Sequence, residues 1–245
     1  AGVPPVSFEP LWRALVAHAS DSGVVRVLAE RLSAAPITSP VEAIAALKAL
    51  DAVATAQAAS VAIPVAEARA TLGSADGFAT LAIFVRSGAT DARFAALQSL
   101  LRLGERSRLT HPELATALER ASTDGDSSVR AVVAEVLGLV DDGRVGGVLT
   151  ALIRDSSEDV RFQTAYAMGR SGSKKLAGVL CEFGVTDSAD RVREATYASL
   201  HHLVHGHALP PPSEISEWLS DPGDTGGRPF WGRDHLRWRE YWQHP

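Results

Sequence analysis

The chain repeats itself, and that limits its fold more than anything else in it. Asp124-Gly-Asp-Ser-Ser-Val129-Arg130 returns as Asp155-Ser-Ser-Glu-Asp-Val160-Arg161 and again as Asp187-Ser-Ala-Asp-Arg-Val192-Arg193, with the three valines 31 and 32 residues apart. A period in that range marks a supersecondary unit too small to bury its own apolar face, so copies must stack to share a core. Behind each Val-Arg pair runs an apolar series at helical spacing: Val129, Ala134 and Leu137; Val160, Ala165 and Met168; Val192, Tyr197 and Leu200. The Asp/Ser cluster ahead of each series is an N-cap signal, and Gly138 and Gly169 read as the ends of the first two helices. A second apolar-periodic segment precedes each cluster, at Leu114 to Leu118, Val145 to Ile153 and Leu176 to Phe183. Each repeat is therefore expected to be a pair of antiparallel helices.

Asp91-Ala92-Arg93, followed by Leu97 and Leu100, is an earlier and looser copy, 37 residues ahead of Val129 at the valine position. Upstream, Phe8 to Ala19, Val24 to Leu32, Val41 to about Ala59, Val65 to Leu72 and Phe78 to Val85 read as helices separated by Gly, Pro or Ser breaks. They are divergent repeats or an N-terminal cap. At the other end Pro210-Pro-Pro212 breaks the helical pattern, and the stretch that follows is turn-rich and holds Trp218, Trp231, Trp238 and Trp242. Such a tail can cover the exposed apolar face of a last repeat or bind a partner. The expected organisation is 1–90 divergent repeats or cap, 91–208 regular repeats, and 209–245 a Pro/Gly/Trp-rich tail or cap.

With 46% hydrophobic and 22% charged residues, the chain has the profile of an ordered protein. A formal charge of −5 and the lack of a basic stripe count against nucleic acid as a partner. The single cysteine, Cys181, excludes an intramolecular disulfide and a Cys-cluster metal site, and reads as a small core residue. The uncharged run Ala52 to Ala66 is 15 residues, too short and too weakly apolar to span a bilayer. The absence of Asn, with lysine only at 48, 174 and 175, points to a GC-rich bacterial genome. The opening Ala1-Gly-Val-Pro-Pro is compatible with a mature N-terminus, which would make the protein periplasmic; otherwise it is cytoplasmic.

The pattern Asp-x-x-x-x-Val-Arg-x-x-x-Ala-x-x-Leu-Gly at 124–138, with near-copies at 155–169 and 187–201, resembles the HEAT repeat family and the short bacterial HEAT-like repeats, over about Asp91 to Leu203. The resemblance implies an all-α fold, a right-handed α-solenoid of antiparallel helix pairs ending here in a Trp-rich irregular tail. It also implies a structural ladder of Asp124, Asp155 and Asp187 with Arg130, Arg161 and Arg193. The third copy carries Tyr197 where the motif has Ala and His201 where it has Gly, so the cap is expected to dock there. The end from Phe230 to Trp242 is similar to the Trp-rich ends of some exported bacterial HEAT-repeat proteins.

The candidates for chemistry are His201, His205 and His207, since 201 and 205 share a helix face at a spacing that metal-binding imidazoles use. No carboxylate or cysteine at ligand spacing accompanies them, and histidines near a helix C-terminus are ordinary. No metal or other cofactor is therefore expected. Gly169-Arg-Ser171-Gly-Ser173 lacks the last glycine of a nucleophile elbow, and neither a phosphate-binding loop nor a dinucleotide fingerprint occurs. Counting along the second helix of each repeat places Phe162 and Tyr166 at i, i+4 with Glu135 and Glu194 beside them, an aromatic anchor or a packing element. The expected function is a non-enzymatic protein-interaction or scaffold role, as a subunit of a larger assembly. Its partners would be proteins bound through Phe162, Tyr166, Glu135, Glu194, Trp231, Trp238 and Trp242. The alternative is a HEAT-like enzyme of lyase or DNA glycosylase type, or a metal-binding role for the histidines.

Overall fold

The computed structural model describes residues 8–36, 39–53, 58–206 and 208–220. Among them the regular structure is helical, without a strand. Six helices lead up the first half: α1 (Phe8–Ala17), α2 (Ser22–Ala34), α3 (Pro40–Val53), α4 (Ala59–Thr71), α5 (Ala75–Ser87) and α6 (Thr90–Arg106). The second half holds α7 (Pro112–Ala121), α8 (Ser127–Leu137), α9 (Val145–Leu152), α10 (Glu158–Arg170), the short α11 (Ala177–Val179), α12 (Asp190–Leu200) and α13 (Ile215–Trp218). A 3-10 turn leads into α11 and a π-helical turn, Leu180–Gly184, continues it; a second π turn, His201–His205, extends α12.

Contacts gather the chain into two compact units, Ala1–Leu118 and Glu119–Pro245. In the first unit α1 packs on α2, α3 on α4 and α5 on α6, which makes three helix pairs. Their second helices stand in a row, α2 against α4 and α4 against α6. Leu11, Leu15, Val25, Leu32, Leu50, Val61 and Val65 meet in the core between the first two pairs. In the second unit α8, α10 and α12 make the corresponding row, with α9 packed on both α8 and α10. Neither helix of a pair could hide its stripe alone, and the rows are how neighbouring stripes are closed.

Three sequence expectations need correction. Pro64 was read as a break, with one helix running on to about Ala59 and another starting at Val65; instead the chain leaves the helix after Val53, and Pro64 lies inside α4. A proline there only withholds its N–H from the Ser60 carbonyl, and Ser60 is exposed, so water can take that bond. Gly169 does not end its helix, which runs on to Arg170. A Cβ on Gly169 would stand 2.5 Å from Ser199 Oγ, so the glycine is there to let α12 approach α10, and Ser199 Oγ donates to the Ala165 carbonyl at 2.8 Å across that crossing. Gly138 does cap α8, but it too is a close crossing, where a Cβ would stand 3.0 Å from Ala167. Lastly, of the three repeated clusters only the first caps its helix directly, Asp126 accepting from Ser128 N at 2.8 Å.

Candidate functional site

The repeated aspartates do something other than cap. Arg130 lays Nε and Nη2 on the two carboxylate oxygens of Asp155, both at 2.8 Å, while its Nη1 reaches back to the Asp124 carbonyl at 2.8 Å. Arg161 repeats this one step on, at 2.7 and 3.0 Å to Asp187 and 2.9 Å to the Asp155 carbonyl. Arg193 holds the Asp187 carbonyl and turns its fork to Asp190 of its own helix. Asp155 and Asp187 also accept the N–H of Ser157 and Ala189, fixing each turn ahead of its helix. The Arg130 guanidinium holds Asp155 below the ordinary carboxylate range. At Asp187 burial works the other way, but the bonds from Arg161 and Ala189 N still hold it low. Two rungs, Arg130 to Asp155 and Arg161 to Asp187, thus join one repeat to the next.

Phe162 and Tyr166 lie on α10 with only 6% and 8% of their surface exposed. Arg191 covers the Phe162 ring from α12 at 4.3 Å and is tied down by Asp159 at 2.7 Å. Neither ring projects from the surface, because the row of second helices is close enough for α12 to lie over α10. Glu135 and Glu194 are half-buried. Burial lifts the Tyr166 hydroxyl above its ordinary range.

The histidines divide. His201 is fully buried, with Trp218 of α13 edge-on at 5.6 Å and His205 at 5.4 Å between ring centroids. His205 with His202 and Lys174 lines a shallow surface pocket of about 370 Å³. His207, Trp231, Trp238 and Trp242 lie outside the described residues. Among the described residues no group of three or more His, Cys, Asp and Glu is placed to hold a metal ion.

The most developed site stands in the first unit, on the face formed by α2, α4 and α6. It is a pocket of about 680 Å³ whose lining includes Arg26, Glu30, Ile63, Glu67, Ala95 and Arg102. Glu67 is the one buried charged side chain that is not a histidine among the described residues, 5% exposed. Its carboxylate receives Arg102 Nε at 2.8 Å, Arg102 Nη2 at 2.6 Å and Ser99 Oγ at 2.7 Å. A buried carboxylate is tolerated only when so completely bonded. The pair in turn raises the Arg102 guanidinium above its ordinary range, through the bond from Glu67. One turn later Arg106 crosses from α6 to donate Nη1 to the Ser33 carbonyl at the C-terminal end of α2, one of the carbonyls a helix leaves unpaired. Gln98, Ser60, Pro64 and Asp91 complete the wall.

Sequence reasoning missed this site, although a signal was present: Glu67 is the only charged residue between Asp51 and Arg69. A lone charge in such a run must be paired from another element.

Stacked helix pairs with a pocketed row of second helices define an α-helical repeat protein. Residues 112–201 match the family model described as HEAT repeats, and that span contains all three regular copies of the motif. An engineered protein of known crystal structure is similar in fold, at TM-score 0.52 and 16% identity, over 80% of this chain and 96% of its own. The archaeal HEAT-like repeats protein from Thermococcus onnurineus NA1 aligns over 98% of both chains at 12% identity and TM-score 0.45. No curated protein matches the sequence. Among the described residues no helix is long and apolar enough to cross a membrane.

Proposed function

We propose that this chain is a non-enzymatic interaction protein, a scaffold or accessory subunit of a larger assembly in a bacterium. In this reading its helix pairs wind in the right-handed sense within each unit and bind protein partners on the row of second helices. The observation that carries the reading is the pocket on α2, α4 and α6. Four of its ionisable groups are committed in two internal pairs, Glu67 with Arg102 and Arg26 with Glu30 at 2.8 Å, an arrangement suited to recognition rather than to moving protons or attacking bonds. In the second unit Glu135 and Glu194, with the edges of Phe162 and Tyr166, would make a second contact area. Trp231, Trp238 and Trp242 would add aromatic contacts or cap the last repeat.

The test is purification of the intact protein from its source with identification of any stoichiometric companion, repeated with Ala95→Trp. Ala95 is exposed on the pocket wall, so the indole fills the pocket without disturbing the core. A defined partner lost from the variant supports the reading. A protein that emerges alone, or a partner held equally by both, defeats it.

A further inference from the structure

We propose that the pocket of the first unit is a receptor for an extended peptide segment carrying a carboxylate, seated between Arg102 and Arg106; this rests on the interaction role argued above and names the partner's chemistry. Asp91, Ala95, Gln98, Arg102 and Arg106 fall at steps of four, three, four and four along α6, one face of the helix, and all five line the pocket. That face is polarised. It begins with a carboxylate at Asp91, passes alanines opposed by Ile63 and Pro64 of α4, and ends in two guanidiniums.

Charge at the far end does not cancel. Arg26 is matched by Glu30 and Arg102 by Glu67, and Glu105 also acts on Arg102 from outside the lining, which leaves the Arg106 guanidinium as the positive charge with no carboxylate partner in the lining. Arg102 is held by its Nε and Nη2 edge, so its orientation is fixed, and Nη1 makes no hydrogen bond among the described residues. Its side chain is 52% exposed. Arg106 spends only Nη1, on the Ser33 carbonyl. Two preset guanidiniums with a single surplus charge fit one carboxylate, which guanidinium forks bind bidentately.

The length of the wall sets the length of the ligand. Asp91 to Arg106 spans about 22 Å along the helix. An extended strand covers the same distance in about six or seven residues. The backbone of such a strand has partners waiting: the Ser60 carbonyl, which Pro64 cannot bond from within α4, and the Gln98 amide. Apolar side chains of the strand would lie on Ile63, Pro64 and Ala95, and a basic group would meet Asp91.

The experiment is selection of a displayed random-heptapeptide library on the intact protein, followed by titration of labelled winners. The expected winners carry Asp, Glu or a terminal carboxylate beside an apolar residue, lose tenfold or more in affinity for Arg106→Glu, and regain it when their acid is exchanged for lysine. Arg106 is exposed, and the melting temperature of the variant shows that it folds; Glu67→Gln with Arg102→Gln, which removes the buried pair together, should weaken the same peptides. Winners that are blocked by Ala95→Trp yet carry no acid, or that ignore Arg106→Glu, would overturn the carboxylate assignment and leave the interaction role standing. Failure to select any peptide that Ala95→Trp blocks would overturn both.

Discussion

Asp155 accepts three hydrogen bonds, two from Arg130 and one from Ser157 N, with only 11% of its side chain exposed. Removing one partner of a pair this sheltered strands the other, so Asp155→Ala should cost about 3 kcal/mol, read as a lower denaturation midpoint. The same residues set an acid limit. Asp155 and Asp187 are held below 3.8 in the folded protein, so as pH falls the unfolded chain takes up protons first. Their contribution is complete above that ordinary value and disappears as pH drops through the folded values. Melting temperature should therefore decline below about pH 4 in the parent protein, and more shallowly in Asp155→Asn with Asp187→Asn. Cys181 titrates in the opposite sense: burial pushes its thiol up to about 12, so little thiolate exists at pH 8. Alkylation there should be slow in the native protein and should accelerate when the second unit is unfolded with denaturant.

At the level of helices, glycine decides how closely the row of second helices can pack. Gly169→Ala pushes a methyl group to within 2.9 Å of the Ser199 backbone, and no side-chain rotation on α12 relieves that. The expected loss is about 1–3 kcal/mol, or several degrees in melting temperature. Helix existence was plain from periodicity, and the residues of the ladder came with the family resemblance; that each arginine reaches the next repeat's aspartate is a matter of packing. Boundaries were harder to read. Pro64 and Gly169 look like terminators in a linear reading, yet one sits where its missing N–H costs little and the other where a neighbouring helix needs the space. The pocket of the first unit was illegible for a different reason. Glu67 and Arg102 stand 35 residues apart, the first in a helix that matches no consensus and the second in the loosest copy of the motif, and only burial brings out what joins them.

On the scale of the molecule, the change from divergent to regular sequence near residue 90 is a matter of consensus, whereas compactness divides the chain at Leu118 and Glu119. Net charge belongs at this scale too. With −5 overall, the protein is expected to pass through a column of immobilised duplex DNA at low salt; salt-dependent retention would favour the glycosylase-like alternative. The ladder, finally, has a direction: Arg130 and Arg161 each look forward to the next repeat's aspartate and backward to their own loop. The stretch from Asp124 to Arg154 is thus a module with matching ends. Spliced in a second time ahead of Asp155, it would offer a carboxylate to the arginine before it and a guanidinium to the aspartate after it. The second unit can in principle be lengthened one module at a time with every junction already solved.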